Sequence, residues 1–250
     1  MLAELRRQEI LRMLRHDGAL SAASVAERLG VSPSTVRRDI ARLDQDGRLR
    51  RVHGGALIGE ATEPPFATVA DSHQEAKDAI GVRAAALVPE GAVVLCDIGT
   101  TVHRAVAHLH GRRVTVVTSN LAVYEELIDD DAVEIVLLGG QVRRNYRSIV
   151  GFLTEEALLQ VHADLLLLGT SGVRADLSVM DTTTIEVPLK RLMLRAADRT
   201  VLLADGSKFP GAGLARVCGP ESLDVVVTDT GADRATVESL GNAGVEVVVA

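Results

Sequence analysis

Short apolar runs recur along the last two thirds of the chain, and helical patterns separate them. The runs occupy residues 92–97, 114–119, 133–140, 163–172, 200–205, 224–229 and 245–250. Uninterrupted valine and leucine stretches of this length are typical of strands that are buried on both faces. Helical stretches lie between several of them, at residues 101–110, 121–129 and 231–242. The alternation predicts an α/β domain with a mostly parallel sheet over residues 76–250.

The first 57 residues follow a different pattern, in which apolar positions recur every three or four residues. This spacing predicts three helices, at residues 4–16, 22–29 and 33–46. Gly30 ends the second helix, and a turn of about three residues leads to the third, which is the spacing of a helix-turn-helix. Residues 48–57 then mix arginines with Leu49 and Val52 before Gly54-Gly55, which predicts a short hairpin or wing.

The third helix has a well-defined start and two different faces. It begins at Ser32-Pro33, which supplies an N-cap serine and a proline in the first turn. At about 100° per residue, one face is apolar, with Val36, Ile40 and Leu43. The opposite face is polar and basic, because it carries Ser34 and Arg38 with Arg37 beside them. Asp39 lies nearer the apolar face, where we expect it to orient an arginine or a neighbouring helix.

Residues 58–75 separate the two patterns and contain Pro64-Pro65. Two adjacent prolines cannot lie inside a helix, and they favour extended backbone. We therefore predict an N-terminal domain at residues 1–57, a linker at residues 58–75 and the α/β domain at residues 76–250.

Charge is distributed unevenly between these parts. Residues 1–57 hold 11 basic and 7 acidic residues, a net charge of +4, whereas residues 58–250 hold 16 and 27, a net charge of −11. A basic end on an acidic chain indicates nucleic-acid binding. The apolar share of 47% excludes wholesale disorder, and with 2% aromatics the core must consist mainly of Leu, Val, Ile and Ala.

Composition also limits the compartment and the cofactors. No apolar run approaches membrane-spanning length, and the first ten residues lack the apolar stretch of a signal peptide. Cys96 and Cys218 each stand alone in apolar surroundings, so we expect both thiols to be reduced and buried. We therefore expect a cytoplasmic protein without membrane association, cofactor or metal.

Small and polar residues collect at the carboxyl ends of the predicted strands, which is where open α/β sheets bind ligands. The candidates are Asp97, Gly99, Thr100, Thr101, Ser119, Asn120, Gly139, Gly140, Thr170, Ser171, Gly172 and Lys208. Gly99-Thr100-Thr101 also opens a helix, where backbone amides, hydroxyls and the helix dipole suit a phosphate. Each motif alone fits a turn or a helix cap equally well. Their convergence on one edge of one sheet favours a binding site.

The motifs resemble those of the DeoR family of bacterial transcriptional regulators. The segment SAASVAERLGVSPSTVRRDIARLDQDGRLRRVHGGAL is similar to the winged helix-turn-helix of that family. The similarity continues in the family's order through DIGTT, TSN, LLGGQVRR, IVGFLTEEAL, ADLLLLGTSGV, the stretch around Glu186, DGSKF and VVVTD. The family's usual Gly-Leu-Thr-Thr stretch is replaced here by residues 177–183, close to the expected ligand pocket.

The resemblance implies a fold and a function. It implies a C-terminal sensor domain with a fold similar to ribose-5-phosphate isomerase, which binds a phosphorylated sugar or a sugar-like metabolite. It further implies a homo-oligomeric repressor of a sugar-catabolism operon, released from double-stranded operator DNA when the metabolite binds. In this interpretation the helix from Pro33 lies in the major groove, and paired half-sites require more than one copy of the chain.

The resemblance also assigns roles to particular residues. The expected DNA-binding residues are Ser32, Ser34, Thr35, Arg37, Arg38, Arg50, Arg51 and His53. The expected effector-binding residues are the strand-end candidates above together with Glu186. Gly99, Thr100 and Thr101 are expected to hold the phosphate with Lys208 close by, and Asp97, Asn120 and Glu186 to bond sugar hydroxyls.

Two other functions stay open at this point. A sugar-phosphate isomerase with a DNA-binding appendage would need a general base and a means of stabilising an enediolate. Residues 169–174, where that enzyme family places an acidic pair, read Gly-Thr-Ser-Gly-Val-Arg and contain no acidic residue. Glu186 is the carboxylate on which the enzyme alternative rests. A nucleotide-binding regulator is the third possibility, but neither a full G-x-G-x-x-G motif nor a P-loop is present.

Overall fold

A computed structural model of the chain describes residues 3–17, 19–45, 49–52, 55–57 and 64–250. The chain divides into two compact units, Met1–Pro65 and Phe66–Ala250. Among the described residues, no helix is long and apolar enough to cross a membrane.

The first unit is a winged helix-turn-helix. Its helices are α1 (Ala3–Asp17), α2 (Ala22–Leu29) and α3 (Pro33–Gln45). Its strands are β1 (Ala19–Ser21), β2 (Arg50–Val52) and β3 (Gly55–Leu57). The strands form an antiparallel sheet in the order β1-β3-β2, so that β2 and β3 make the predicted wing.

Local sequence explains where the helices of the first unit begin and end. The Ser21 hydroxyl accepts a hydrogen bond from the Ser24 amide at 3.0 Å and caps α2. Gly30 ends α2 in the left-handed conformation, with φ of 63°. The Ser32 hydroxyl accepts from the Thr35 amide at 3.2 Å, which confirms the predicted N-cap of α3. The predicted apolar face of α3 lies in the core, with Val36, Ile40 and Leu43 buried.

The second unit is an α/β domain. Its helices are α4 (Phe66–Ala70), α5 (Gln74–Ala86), α6 (Thr100–Val106), α7 (Leu121–Leu127), α8 (Phe152–Leu158), α9 (Val187–Arg195) and α10 (Arg234–Asn242). Its strands are β4 (Val93–Cys96), β5 (Val114–Thr118), β6 (Val133–Leu137), β7 (Gln141–Arg143), β8 (Ser148–Val150), β9 (Ala163–Gly169), β10 (Gly172–Val173), β11 (Val179–Asp181), β12 (Ala197–Leu203), β13 (Ala215–Cys218), β14 (Val225–Thr228) and β15 (Glu246–Val249).

Seven of these strands form one parallel sheet in the order β15-β14-β12-β9-β4-β5-β6. Each contains residues from one of the seven apolar runs, so the predicted fold class is confirmed. After β4 the chain extends the sheet outwards through β5 and β6. After β9 it extends the sheet in the opposite direction, which makes the β4–β9 pair the topological switch point.

Both faces of the sheet are buried, because helices cover each of them. Along β4, Val94 and Cys96 belong to one core with helices α5 and α6, whereas Leu95 belongs to the core on the other face, with α8 and α9. Side chains alternate between the two faces along a strand. Continuous apolar runs are therefore what a sheet covered on both faces requires.

The predicted linker is shorter at its carboxyl end than expected. Residues 66–70 form helix α4 and residues 74–75 begin α5, although the sequence pattern placed all of 66–75 in the linker. The physical reason is Phe66, which is only 4% exposed and packs against the rings of His103 and Tyr146. Residues 58–63 of the predicted linker lie outside the described residues.

Candidate functional site

The carboxyl ends of β4 and β9 meet at the switch point, and Asp97 and Gly169 lie there. Asp97 follows β4 directly, and its Oδ2 accepts a hydrogen bond from the Gly169 amide at 2.9 Å. Asp97 is fully buried. A buried carboxylate needs compensating charge as well as hydrogen bonds, since desolvation otherwise disfavours its ionised form.

Lys190 of helix α9 supplies that charge. Its Nζ contacts Asp97 Oδ2, donates to the Gly169 carbonyl at 3.1 Å and lies 3.5 Å from Asp181 Oδ2. The lysine is 2% exposed. Burial by itself would lower the pKa of Lys190, but the two carboxylates outweigh it and raise the pKa above the ordinary lysine value. Lys190 is therefore a permanent buried cation at the centre of this edge.

Glu186 lies one turn before Lys190, at the N-cap of α9. It is 1% exposed, and its Oε1 contacts Arg143 and accepts from the Ser148 hydroxyl at 2.9 Å. Arg143 ends β7 and Ser148 begins β8, so the β7–β8 hairpin holds Glu186 from both of its strands. The Lys190 amide donates to the Glu186 carbonyl at 2.9 Å, which joins the Glu186 group to the Lys190 group through one helical turn.

Several buried polar atoms at this edge have no hydrogen-bond partner among the described residues. They are Asp97 Oδ1, Ser119 Oγ, Thr183 Oγ1, Glu186 Oε2, Asp205 Oδ2 and Thr228 Oγ1. Four of these residues end or follow strands β4, β5, β12 and β14, and the other two, Thr183 and Glu186, precede α9. Buried polar groups in folded proteins are nearly always bonded, so such a set at one sheet edge points to a ligand or ordered water.

The Gly99-Thr100-Thr101 loop lies where the sequence predicted it, between β4 and α6. Gly99 has φ of 115°, a conformation that favours glycine, and it is the N-cap of α6. The Asn120 side chain holds this loop, because its Nδ2 donates to the Asp97 carbonyl at 3.4 Å. Its Oδ1 accepts from the Ala122 amide at 2.9 Å and caps α7. Both polar atoms of Asn120 thus have partners, and its bond to an effector stays a prediction.

Three further predicted residues, Thr170, Ser171 and Gly172, lie where the start of β10 meets the end of β11. The Thr170 hydroxyl accepts from the Gly172 amide at 3.0 Å and donates to the Met180 carbonyl at 2.9 Å. Ser171 Oγ accepts from the Thr182 amide at 3.2 Å. These bonds hold the segment before β10 against the end of β11, and this structural role explains Thr170 and Ser171 without a ligand.

The remaining effector candidates lie in loops of the same unit. Gly139 and Gly140 join β6 to β7, and the Gly139 carbonyl accepts from the Thr154 hydroxyl at 2.8 Å. Lys208 is half-buried at the end of a short 3-10 turn after β12. Asp205 caps that turn by accepting from the Ser207 amide at 3.0 Å.

The candidate DNA-binding residues lie in the first unit. Ser34, Arg37 and Arg38 are exposed on α3, and Ser32 Oγ lies 2.8 Å from both Ser34 Oγ and Thr35 Oγ1. Arg50 and Arg51 lie on β2 of the wing, whereas His53 is outside the described residues.

Asp39 has the role expected of it, because its carboxylate pairs with Arg6 Nε of α1 at 2.5 Å. The pair ties α1 to α3, and Asp39 is buried whereas Arg37 and Arg38 on the same helix are exposed. The exposed face of α3 is therefore polar and basic, as predicted, with Ser34, Arg37 and Arg38.

Four residues of the carboxyl edge were not predicted from the sequence as site residues: Arg143, Ser148, Asp181 and Lys190. Lys190 carried a signal, since it follows Glu186 by one turn in the apolar segment VPLKRLM. A glutamate and a lysine four residues apart normally form an exposed pair. Here both are buried, and each pairs with groups on other elements. Among the described residues, no group of three or more His, Cys, Asp or Glu side chains could hold a metal ion.

Comparison with known proteins identifies both units. The family model described as "DeoR-like helix-turn-helix domain" matches residues 6–62, and that described as "DeoR C terminal sensor domain" matches residues 72–230. The chain is 30% identical to the HTH-type transcriptional regulator GolR of Listeria innocua serovar 6a, over 98% of each chain. It is 31% identical to the glycerol-3-phosphate regulon repressor of Escherichia coli K12, over 90% of each.

A solved ribose 5-phosphate isomerase from Methanocaldococcus jannaschii is 16% identical, with a TM-score of 0.41 over 55% of each chain. Both matching family models and both of these curated relatives describe regulators, which decides against the enzyme alternative. The chain belongs to the DeoR family of transcriptional regulators, with a helix-turn-helix DNA-binding domain followed by a sensor domain.

Proposed function

We propose that this regulator represses a sugar-catabolism operon and leaves its operator when a phosphorylated sugar or a related metabolite binds the sensor domain. The observation that carries the proposal is the set of buried polar atoms at the carboxyl edge of the sheet, including those of Asp97 and Glu186, that have no hydrogen-bond partner in the described part of the chain. A family relative named as the repressor of a glycerol-3-phosphate regulon supports a phosphorylated effector.

The DNA-binding side of the proposal uses α3 and the wing. Arg37 and Arg38 are exposed on α3, and a bidentate arginine to guanine contributes about 1–3 kcal/mol of base discrimination. Ser32, Ser34 and Thr35 surround the start of α3, where hydroxyls and helix amides suit a phosphate of the DNA backbone. Arg50, Arg51 and His53 of the wing are proposed to follow the backbone or the minor groove.

The effector side of the proposal uses the carboxyl edge. Asp97 Oδ1, Ser119 Oγ and Glu186 Oε2 are proposed to bond the hydroxyls of the ligand, because they are buried and have no partner among the described residues. The loop Gly99–Thr101 and Lys208 are proposed to hold its phosphate. Lys190 holds Asp97 in position, since its ammonium contacts that carboxylate.

We also infer that the regulator acts in the cytoplasm as a homo-oligomer. Strand β6 is an edge of the large sheet, and its Val136 and Leu137 are exposed together with Leu153 and the 73% exposed Phe152. The Thr154 bond to Gly139 places the start of α8 beside the end of β6. The chain contains only 3 Phe and no Trp, and one of these few aromatic rings is exposed beside a sheet edge. Exposed apolar side chains beside an unpaired strand edge make a surface suited to association.

A second copy of the chain fits this surface, because the unit also exposes charged groups of both signs, including Glu134 on β6, Glu156 on α8 and Arg144 in the turn of the β7–β8 hairpin. A surface that pairs with itself across a two-fold axis needs such mixed charges. Sedimentation velocity of wild type against Phe152→Asp tests the inference. The variant should sediment as a smaller species, and identical sedimentation would remove this surface from the interface.

The experiment that tests the main proposal is operator binding by fluorescence anisotropy at fixed salt, on the DNA upstream of the regulator's own gene. Sugar phosphates are then titrated into the complex, with the unphosphorylated sugars as matched controls. Release by one phosphorylated compound at micromolar concentration, and not by its parent sugar, is the expected result. Tight operator binding that no compound of the panel weakens would reject a sugar phosphate as the effector.

A further inference from the structure

Phe66 occupies an unusual position, because it is the first residue of the sensor unit and follows Pro64-Pro65 directly. It is nevertheless buried. Its amide donates to the Asn145 carbonyl at 2.9 Å, and its ring packs edge-on against Tyr146 with the centroids 5.8 Å apart. The point where the chain enters the sensor unit is thus fixed by the turn of the β7–β8 hairpin.

The same hairpin holds Glu186. Its strand ends, Arg143 and Ser148, contact the Glu186 carboxylate, and the residues between them contact Phe66. Arg147 of the turn lies with its guanidinium carbon 5.6 Å from the centre of the Phe66 ring. The four residues of this turn therefore connect Arg143 and Ser148, which contact Glu186, to Phe66 at the start of the sensor unit.

The candidate phosphate loop reaches Phe66 by a second route. His103 lies in the first turn of α6, and its amide donates to the Gly99 carbonyl at 3.1 Å. The His103 ring packs edge-on against Phe66, again with the centroids 5.8 Å apart. Elements from both halves of the candidate site, the Gly99 loop and the Glu186 hairpin, thus meet on one ring.

We propose, on the basis of the function proposed above, that Phe66 is the positioning residue through which effector binding at Glu186 and Gly99 acts on the linker to the DNA-binding domain. A ligand hydroxyl that bonds Glu186 Oε2 repositions the carboxylate, whose other oxygen contacts Arg143 and Ser148, and so shifts the hairpin. Packed side chains change between discrete arrangements rather than deforming smoothly, so a shift of the hairpin changes how Phe66 is seated.

A double-mutant cycle on operator affinity tests this without an identified effector. Glu186→Gln removes the charge that Arg143 pairs with while it keeps the shape of the side chain. Its effect on the Kd for the DNA upstream of the gene is measured in wild type and in Phe66→Leu. We expect a change of about fivefold or more in wild type, in the usual range of allosteric coupling, and less than about twofold in the leucine background.

Leu240→Val on α10 is the matched control, because it truncates a fully buried side chain near the opposite edge of the sheet. The Glu186→Gln effect should persist in that background. An equal effect in the Phe66→Leu background, or its loss in the Leu240→Val background as well, overturns the proposal. Coupling that disappears only with Phe66 cannot result from general destabilisation.

A second measurement separates this inference from the proposed function. If wild type does not bind the upstream DNA, the proposed function fails there, and hydrogen exchange of the DNA-free protein still tests the connection. Glu186→Gln should speed exchange of the Phe66 amide, which is bonded to the hairpin, and Glu156→Gln on the surface of α8 should not. Unchanged exchange in Glu186→Gln would reject the role of Phe66.

Discussion

Replacing Lys190 by methionine is the most direct test of how the carboxyl edge is built. The substitution keeps an unbranched side chain of similar length and removes the ammonium that contacts Asp97 and lies 3.5 Å from Asp181. Both carboxylates are buried, so the variant leaves two acidic groups without their counter-charge. Removing one partner of a buried ion pair destabilises far more than removing an exposed one, because the remaining charge stays desolvated.

The magnitude follows from the bonds that survive. Asp97 keeps the Gly169 amide at 2.9 Å, and Asp181 keeps the Thr183 amide at 2.8 Å. These bonds place the loss at the lower end of the usual range, at about 3 kcal/mol of unfolding free energy. For a unit of the size of Phe66–Ala250, that corresponds to a fall in Tm of roughly 6–12 °C.

The pH dependence distinguishes a charge effect from a packing effect. Burial raises the pKa of Asp97, and Lys190 opposes that shift, so removing the lysine raises the pKa of the folded carboxyl further. An acid whose folded pKa lies above its unfolded value destabilises the fold when ionised. The cost of Lys190→Met should therefore be full near pH 8 and shrink as the pH falls through the raised pKa.

Thermal unfolding of wild type and Lys190→Met between pH 5 and pH 8 gives both quantities. Adding Asp97→Asn should restore part of the lost Tm at pH 8, because the amide replaces a buried charge that has lost its partner. A Tm difference that is the same at every pH, or no recovery with Asp97→Asn, would refute the ion-pair explanation and leave a simple packing defect.

Four further outcomes are expected. Arg38→Ala should weaken specific operator binding by roughly 10- to 100-fold in an anisotropy titration with unchanged Tm, if the guanidinium reads a base. Thr100→Val should keep operator binding but shift release by the active sugar phosphate to higher concentrations; a normal release curve would place the phosphate elsewhere. Burial lowers the pKa of Lys77 to about 8, so wild type should gain stability relative to Lys77→Met between about pH 8 and pH 10, where only the unfolded lysine still binds its proton. Both cysteines are buried and burial raises their pKa, to about 12 for Cys218, so a thiol reagent should modify the folded chain at pH 8 only as fast as it unfolds.

The large sheet could be predicted from the sequence because its strands are buried on both faces. In β9, for example, the four consecutive leucines at residues 165–168 are all buried. An apolar run of that length indicates a strand covered on both faces. The helices of the first unit were equally predictable, since Ser32 and Gly30 define their ends. These elements depend on local sequence and burial alone.

The smaller elements could not be predicted in the same way. Strands β7, β8, β10 and β11 contain two or three residues each, too few for an alternating pattern to be recognised. The partners that hold them lie far away in the chain, as when Ser148 bonds Glu186. Lys190 shows the same limit, because its partner Asp97 is separated from it by 93 positions. A lysine in an apolar segment is normally assumed to reach water, and only the tertiary fold shows that this one does not.

The candidate effector residues fall into two groups, according to whether their polar atoms already have hydrogen-bond partners in the structure. The rule that ligands bind at the carboxyl ends of strands located the edge, but it cannot say which side chains remain available there. Asn120 and Thr170 use their polar atoms on neighbouring backbone, so the turns themselves explain why these residues stand there. Asp97, Ser119 and Glu186 each keep one buried oxygen without a partner among the described residues.

Unpartnered buried atoms are therefore a sharper guide to the effector than the small residues that follow each strand. Among the residues that the structure describes, three of the six such atoms are carboxylate oxygens, on Asp97, Glu186 and Asp205, and a carboxylate oxygen accepts hydrogen bonds. The part of the ligand that meets them must consequently offer donors, as the hydroxyls of a sugar do, and its phosphate must lie away from them. A ligand that was anionic at both ends would place a negative charge next to these carboxyl groups in a buried site, which is unfavourable. With its phosphate at Gly99–Thr101, the proposed effector must therefore carry its negative charge at one end only.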